Sequence, residues 1–89
     1  MQTIRIEIWG KVQGVSYRYY CCQHARSLMV TGLVRNLDNG NVEVIASGTN
    51  EQLDELVQWC KKGPLLAKVT QIDITAMPLQ DFPEFSIQR

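Results

Sequence analysis

The chain has 89 residues, 45% of them hydrophobic, and its nine Lys and Arg balance nine Asp and Glu. That length allows one domain, residues 1–89, with a modest core, because so short a chain buries only about 60% of the surface it exposes when unfolded. Zero net charge argues against a nucleic-acid partner, whose phosphates are neutralised by excess Lys and Arg, and against a polybasic membrane anchor.

Thr3 to Trp9 alternates, with Ile4, Ile6 and Ile8 on one side and Arg5, Glu7 and Trp9 on the other, the pattern of a half-buried strand. A loop with two glycines follows, Gly10-Lys11-Val12-Gln13-Gly14-Val15-Ser16. Ser16 is a suitable N-cap for a helix from Tyr17 to about Val30, in which Cys21, Ala25, Leu28 and Met29 form an apolar stripe and which Gly32 is expected to end. Leu33 to Leu37 and Val42 to Ser47 read as strands joined by an Asp38-Asn39-Gly40 turn, since Asn and Gly tolerate positive φ. Thr49 and Gln52 form a capping box ahead of a second helix with Leu53, Leu56, Val57 and Cys60 on its core stripe and Gly63-Pro64 at its end. Lys68 to Ala76 is a further strand, and Phe85 to Gln88 can form a short last one after Pro78 and Pro83. The order β-α-β-β-α-β predicts an α+β, ferredoxin-like sandwich, an antiparallel sheet with both helices on one face and a fifth short strand as an option. That fold alone assigns no function.

No apolar run approaches the roughly 18 residues that span a bilayer. The start Met1-Gln2-Thr3-Ile4-Arg5 is unlike a signal peptide, so the cytoplasm is the expected location. Three cysteines and no Cys-x-x-Cys disfavour a secreted disulfide scaffold. With His24 the only histidine, neither a metal nor another cofactor is expected.

Three features carry chemistry. The loop at 10–16 leads from a strand into a helix start, where unpaired N–H groups and partial positive charge suit a phosphate. Gly10 and Gly14 let the backbone approach a ligand closely. On spacing alone, an ordinary connection with two turn glycines is the commoner outcome. Arg18 stands in the first turn of the helix, against the dipole by about 0.3–1 kcal/mol, which is tolerable if the charge serves an anion. Asn36 is a poor strand former just ahead of the turn. A three-residue turn would pair it with Val42 on the helix-covered face, a two-residue turn with Glu43. Residues 1–37 carry a net charge of +4 and the remainder −4, so the basic part is the part with the loop. His24 has no carboxylate at helical spacing to orient it and reads as a helix-surface residue. Cys21 and Cys60 read as packing residues, and Cys22 as a free thiol without an activating neighbour.

Gly10-Lys11-Val12-Gln13-Gly14-Val15-Ser16-Tyr17-Arg18 resembles the acylphosphatase signature, Gly-Arg/Lys-Val-Gln-Gly-Val-x-Phe/Tyr-Arg. Gly32-Leu33-Val34-Arg35-Asn36, followed by Asp38-Asn39-Gly40 and Val42-Glu43, is similar to the second motif of that family. Gly63-Pro64, Ala67, Val69 and the ending Phe85-Ser86-Ile87 match more weakly. Lys11 stands where Arg is common and Leu33 where an aromatic is common, but no matched site position is lost. The resemblance implies hydrolysis of a small acyl phosphate to a carboxylate and inorganic phosphate. It implies that Arg18 and the backbone N–H groups of Lys11, Val12, Gln13, Gly14 and Val15 hold the phosphoryl group, and that Asn36 holds the attacking water. It implies no metal, no phosphoenzyme, inhibition by product phosphate, and a monomer. A non-catalytic module binding phosphate or carbamoyl phosphate through the same loop is the alternative. The start at Met1 and the closing strand near Arg89 favour a free-standing enzyme.

Overall fold

The computed structural model describes all 89 residues. Strand β1 (Gln2–Lys11) is paired on both sides within the sheet, and its alternation decides the layering. Ile6 and Ile8 are fully buried, while Arg5 and Glu7 point to the opposite face. Helix α1 (Tyr17–Ser27) follows, then β2 (Thr31–Asn36), β3 (Val42–Gly48), helix α2 (Asn50–Lys62), β4 (Lys68–Met77) and β5 (Phe85–Gln88). The sheet order is β4-β1-β3-β2-β5. Both helices cover the face that carries Ile6, Ile8, Val34, Val42, Val44 and Ala46, and one core cluster joins these residues to Cys21, Ala25, Leu53, Leu56 and Cys60.

Four strands pair antiparallel as expected from the sequence, but the sheet is mixed, because β5 lies parallel to β2, with Gly32 opposite Phe85 and Arg35 opposite Gln88. The segment between Met77 and Phe85 carries the chain from one edge of the sheet to the other, which makes the parallel direction attainable. The open face holds a polar network. Glu43, 4% exposed, accepts from both Arg5 and Arg35, at 2.7 Å from the latter, and Arg5 also reaches Glu7 at 3.0 Å.

The helix ends depart from expectation in instructive ways. Thr49 and Gln52 form both bonds of the capping box. Ser16 does not cap α1: it sits at φ 63°, and its side chain accepts no hydrogen bond from the helix. Helix α1 stops at Ser27, well before Gly32. The N–H of Val30 donates to Ala25 O at 3.0 Å and that of Met29 to Arg26 O at 3.1 Å, a Schellman closure. Met29 therefore takes the left-handed position, at φ 64°, and is 79% exposed instead of lying on the apolar stripe. Gly32 serves the sheet: a Cβ there would stand 1.9 Å from Ile45 O.

Candidate active site

The loop between β1 and α1 begins at a bulge. The β1–β4 register shifts between Trp9 and Gly10, and Gly10, at φ 121°, lies so close to β4 that a Cβ would meet Lys68 O at 2.0 Å. Gly10 thus admits a neighbouring strand, not a ligand. Gly14 is different: at φ 76° it has nothing within 4 Å of where a Cβ would be. Left-handed residues at 14 and 16 curl the backbone, a geometry that turns successive N–H groups toward a common concavity. None of the backbone N–H groups of residues 12–19 reaches a backbone carbonyl. The partial positive charge of the α1 N-terminus adds to them.

Two anchors hold this loop. Val12 is buried at its start, and Tyr17 is buried at its end with its hydroxyl donating to Cys60 O at 2.7 Å. That carbonyl would ordinarily pair with the N–H four residues on, but residue 64 is proline and has none. The Tyr17 hydroxyl takes the missing donor's place. The Tyr17 ring also meets Trp59 edge-on, with centroids 5.2 Å apart. Gly63 is required beside it, since a Cβ there would stand 2.9 Å from the ring. Burial pushes the Tyr17 hydroxyl far above its usual ionisation range, so it acts as a fixed donor. Cys21, fully buried with Cys60 as its neighbour, is likewise held as a thiol, its pKa raised by that neighbour and by burial.

Arg18 and Asn36, singled out separately in the sequence, line one cavity of about 390 Å³ together with Val12, Gly14, Ser16, Tyr17, Tyr19, Ile87 and Arg89. Asn36 stands opposite Val42, which is the outcome of the three-residue turn. The turn closes with Leu37 N–H on Asn41 O at 2.8 Å and Gly40 N–H on Leu37 O at 3.2 Å. The odd loop length thereby puts the Asn36 side chain on the helix-covered side. Its Oδ1 is buried and has no hydrogen-bond partner. Arg18 donates to Gln88 O at 3.2 Å and has no carboxylate within ion-pair reach. Folding neutralises most of the basic segment elsewhere: Arg5 and Arg35 go to Glu43, and Arg26 lies 3.6 Å from Glu84.

Of the five loop positions expected at the site, Val12 and Gly14 line the cavity; Lys11, Gln13 and Val15 do not. Lys11 ends β1 opposite Lys68, the Gln13 side chain turns toward the β2–β3 hairpin, and Val15 packs against the core. Sequence reasoning missed Ser16, Tyr17, Tyr19, Ile87 and Arg89 as lining residues. Tyr19 follows from its place one residue after Arg18, but Ile87 and Arg89 arrive through the parallel β5 pairing, for which no local signal exists. His24 stacks on Trp59 at 5.7 Å, away from the cavity, and Cys22 is buried against Phe85 O. No group of three or more His, Cys, Asp or Glu side chains comes together to hold a metal ion, and no helix is long and apolar enough to cross a membrane.

An α+β sandwich whose cavity gathers an arginine and an asparagine beside a loop of unpaired amides is of a kind suited to a phosphate group. The acylphosphatase family model matches residues 4–87. An acylphosphatase of Methylococcus capsulatus is 42% identical over 90 residues, covering all of this chain and 98% of the relative. One from Acaryochloris marina is 44% identical over 97% of this chain and 92% of the relative. The crystal structure of acylphosphatase from Bacillus subtilis, 37% identical, superposes with a TM-score of 0.96 over the whole of both chains. The chain belongs to the acylphosphatase family. Its activity is hydrolysis of the carboxyl–phosphate bond of small acyl phosphates.

Proposed function

We propose that Arg18 and the free backbone N–H groups of the loop hold the phosphoryl group while Asn36 positions the water that attacks it. The observation that carries this reading is that Asn36 and Arg18 line one cavity, with an Asn36 amide that makes no hydrogen bond through its buried Oδ1. A buried carbonyl oxygen left unpaired costs about 1–3 kcal/mol, and a polar residue kept at that cost beside the arginine suits a functional role. Hydrogen-bonded to the Asn36 amide, the attacking water keeps an oxygen lone pair aimed at phosphorus.

Phosphoryl transfer needs mainly positioning and charge stabilisation. Arg18 and the amides supply both to the equatorial oxygens. Water oxygen bonds to phosphorus as the bond from phosphorus to the acyl oxygen breaks, giving a carboxylate and inorganic phosphate. The leaving carboxylate has a conjugate acid of pKa about 4, so it departs without a general acid. One water proton passes to a phosphate oxygen, since no His, Asp or Glu side chain lines the cavity. The chemistry therefore calls for no metal and no phosphoenzyme. Because product phosphate uses the same contacts, it competes with substrate. The chain acts as a monomer in the cytoplasm, each copy holding a whole site.

The test is a continuous assay with benzoyl phosphate. Arg18→Ala and Asn36→Ala each lose at least about a hundredfold in kcat/KM, the scale of a lost charge-stabilising group at a reacting centre. Full activity in either variant overturns the assignment.

A further inference from the structure

Among residues 12–16, Gln13 alone makes side-chain hydrogen bonds, and both go to a distant part of the chain. Its Nε2 donates to Leu37 O at 2.8 Å and to Asn41 O at 2.9 Å. Both partners are carbonyl oxygens, so only the NH₂ side of the amide can face them, and its two protons are fully used. Leu37 and Asn41 are the pair that closes the base of the β2–β3 hairpin loop. Asn36 is the residue immediately before Leu37. Gln13 itself belongs to the segment with the unpaired N–H groups.

We propose that Gln13 is a positioning residue for the hydrolysis: its amide ties the loop that grips the phosphoryl group to the hairpin that carries Asn36, and so fixes the water relative to phosphorus. The proposal rests on the roles given above to Arg18 and Asn36. Each half of the site has its own anchor, Tyr17 for the loop and the β2–β3 pairing for Asn36. Cutting the tie therefore leaves both halves formed and spoils only their relation.

Three variants test this in the intact chain. In Gln13→Ala, kcat for benzoyl phosphate falls by about tenfold to a hundredfold, the scale of a misplacement near 1 Å. The inhibition constant of inorganic phosphate moves by less than about threefold, because Arg18 and the amides persist. Gln13→Glu cannot donate when ionised and sets a carboxylate against two carbonyls. Protonation returns one donor, so its kcat relative to the parent chain rises as pH falls through about 4–5, while the Gln13→Ala ratio stays flat. A kcat for Gln13→Ala within about twofold of the parent overturns the proposal. So does a parallel loss of kcat and phosphate affinity, which makes Gln13 part of the phosphate grip. If Gln13→Ala fails to fold, the pH ratio of Gln13→Glu decides, and a flat ratio overturns the tie. Arg18→Ala, measured alongside, separates the layers: an inactive Arg18→Ala with a normal Gln13→Ala defeats the tie alone, whereas an active Arg18→Ala defeats the site assignment beneath it.

Discussion

Replacing Asn36 by leucine pulls stability and activity in opposite directions. The side chains share one branched four-heavy-atom skeleton, and leucine fits better in a strand on the helix-covered face. Leucine also removes the Oδ1 that is buried without a partner in the chain. Such an orphan costs about 1–3 kcal/mol, so its removal brings a gain of at least about 1 kcal/mol. For a domain of this size that raises Tm by about 4–8 °C. The same change deletes the amide that aims the water. A preorganised hydrogen-bonding group at a reacting centre is worth about 2.7–4 kcal/mol, so kcat drops by about 10²–10³. Phosphate inhibition stays close to the parent value, since Arg18 and the loop are untouched. Thermal melts followed by circular dichroism, with benzoyl phosphate turnover and phosphate inhibition on the same preparation, read all three quantities. An Asn36→Leu chain that melts lower than the parent, or keeps more than about a tenth of its kcat, refutes the reasoning.

Three further outcomes follow from contacts outside the reacting centre. Tyr17→Phe leaves the Cys60 carbonyl without the donor that Pro64 cannot supply, and urea unfolding should register a loss of about 1–3 kcal/mol. Met29→Gly relieves a left-handed residue at an exposed position and should raise stability by about 0.5–1 kcal/mol in the same experiment, with turnover unchanged. The Asn41 amide, with Arg5 second, holds the Glu7 carboxyl below its usual range. Its stabilisation is complete above the unfolded carboxylate range near pH 4 and is lost as pH falls through the lower folded value. Glu7→Gln should lie below the parent at neutral pH, converge on it in acid, and so flatten the Tm-against-pH curve through that acidic region.

What could be read from the sequence were the features written in neighbouring residues. The Thr49–Gln52 capping box, the stripe of Leu53, Leu56, Val57 and Cys60, and the alternation of Ile4, Ile6 and Ile8 each depend on spacing along one element, and each fixes a stretch of backbone. The loop and Arg18 were legible for the same reason. Asn36 was legible only up to its face, because that depended on whether the hairpin loop held two residues or three. The rest is set by distant partners. Nothing in Phe85-Ser86-Ile87-Gln88 states that it pairs parallel with β2, so Ile87 and Arg89 could not be placed at the cavity. Met29 carries no mark of a left-handed turn, and the Schellman bonds from Val30 and Met29 override the stripe that suggested a longer helix. Gln13 looks like one more polar loop residue until the hairpin carbonyls stand opposite it.

The Arg18 contact with Gln88 spans 70 residues of chain, the Tyr17 contact with Cys60 spans 43, and the Gln13 contacts span 24 and 28. None of them can form from a local segment, and closing such long loops is slow because the entropy is lost before the contact rewards it. Helix α2, capped by its own neighbours, can be present in a partly folded chain. The site cannot, since it needs the first strand, the hairpin, the end of α2 and the last strand in place at once. Enzyme activity is thus a late reporter in this protein. During refolding, turnover should return with the slowest phase of structure formation, after helical circular dichroism has recovered. Turnover that returned with the first phase would mean that these long-range ties are not what assembles the site.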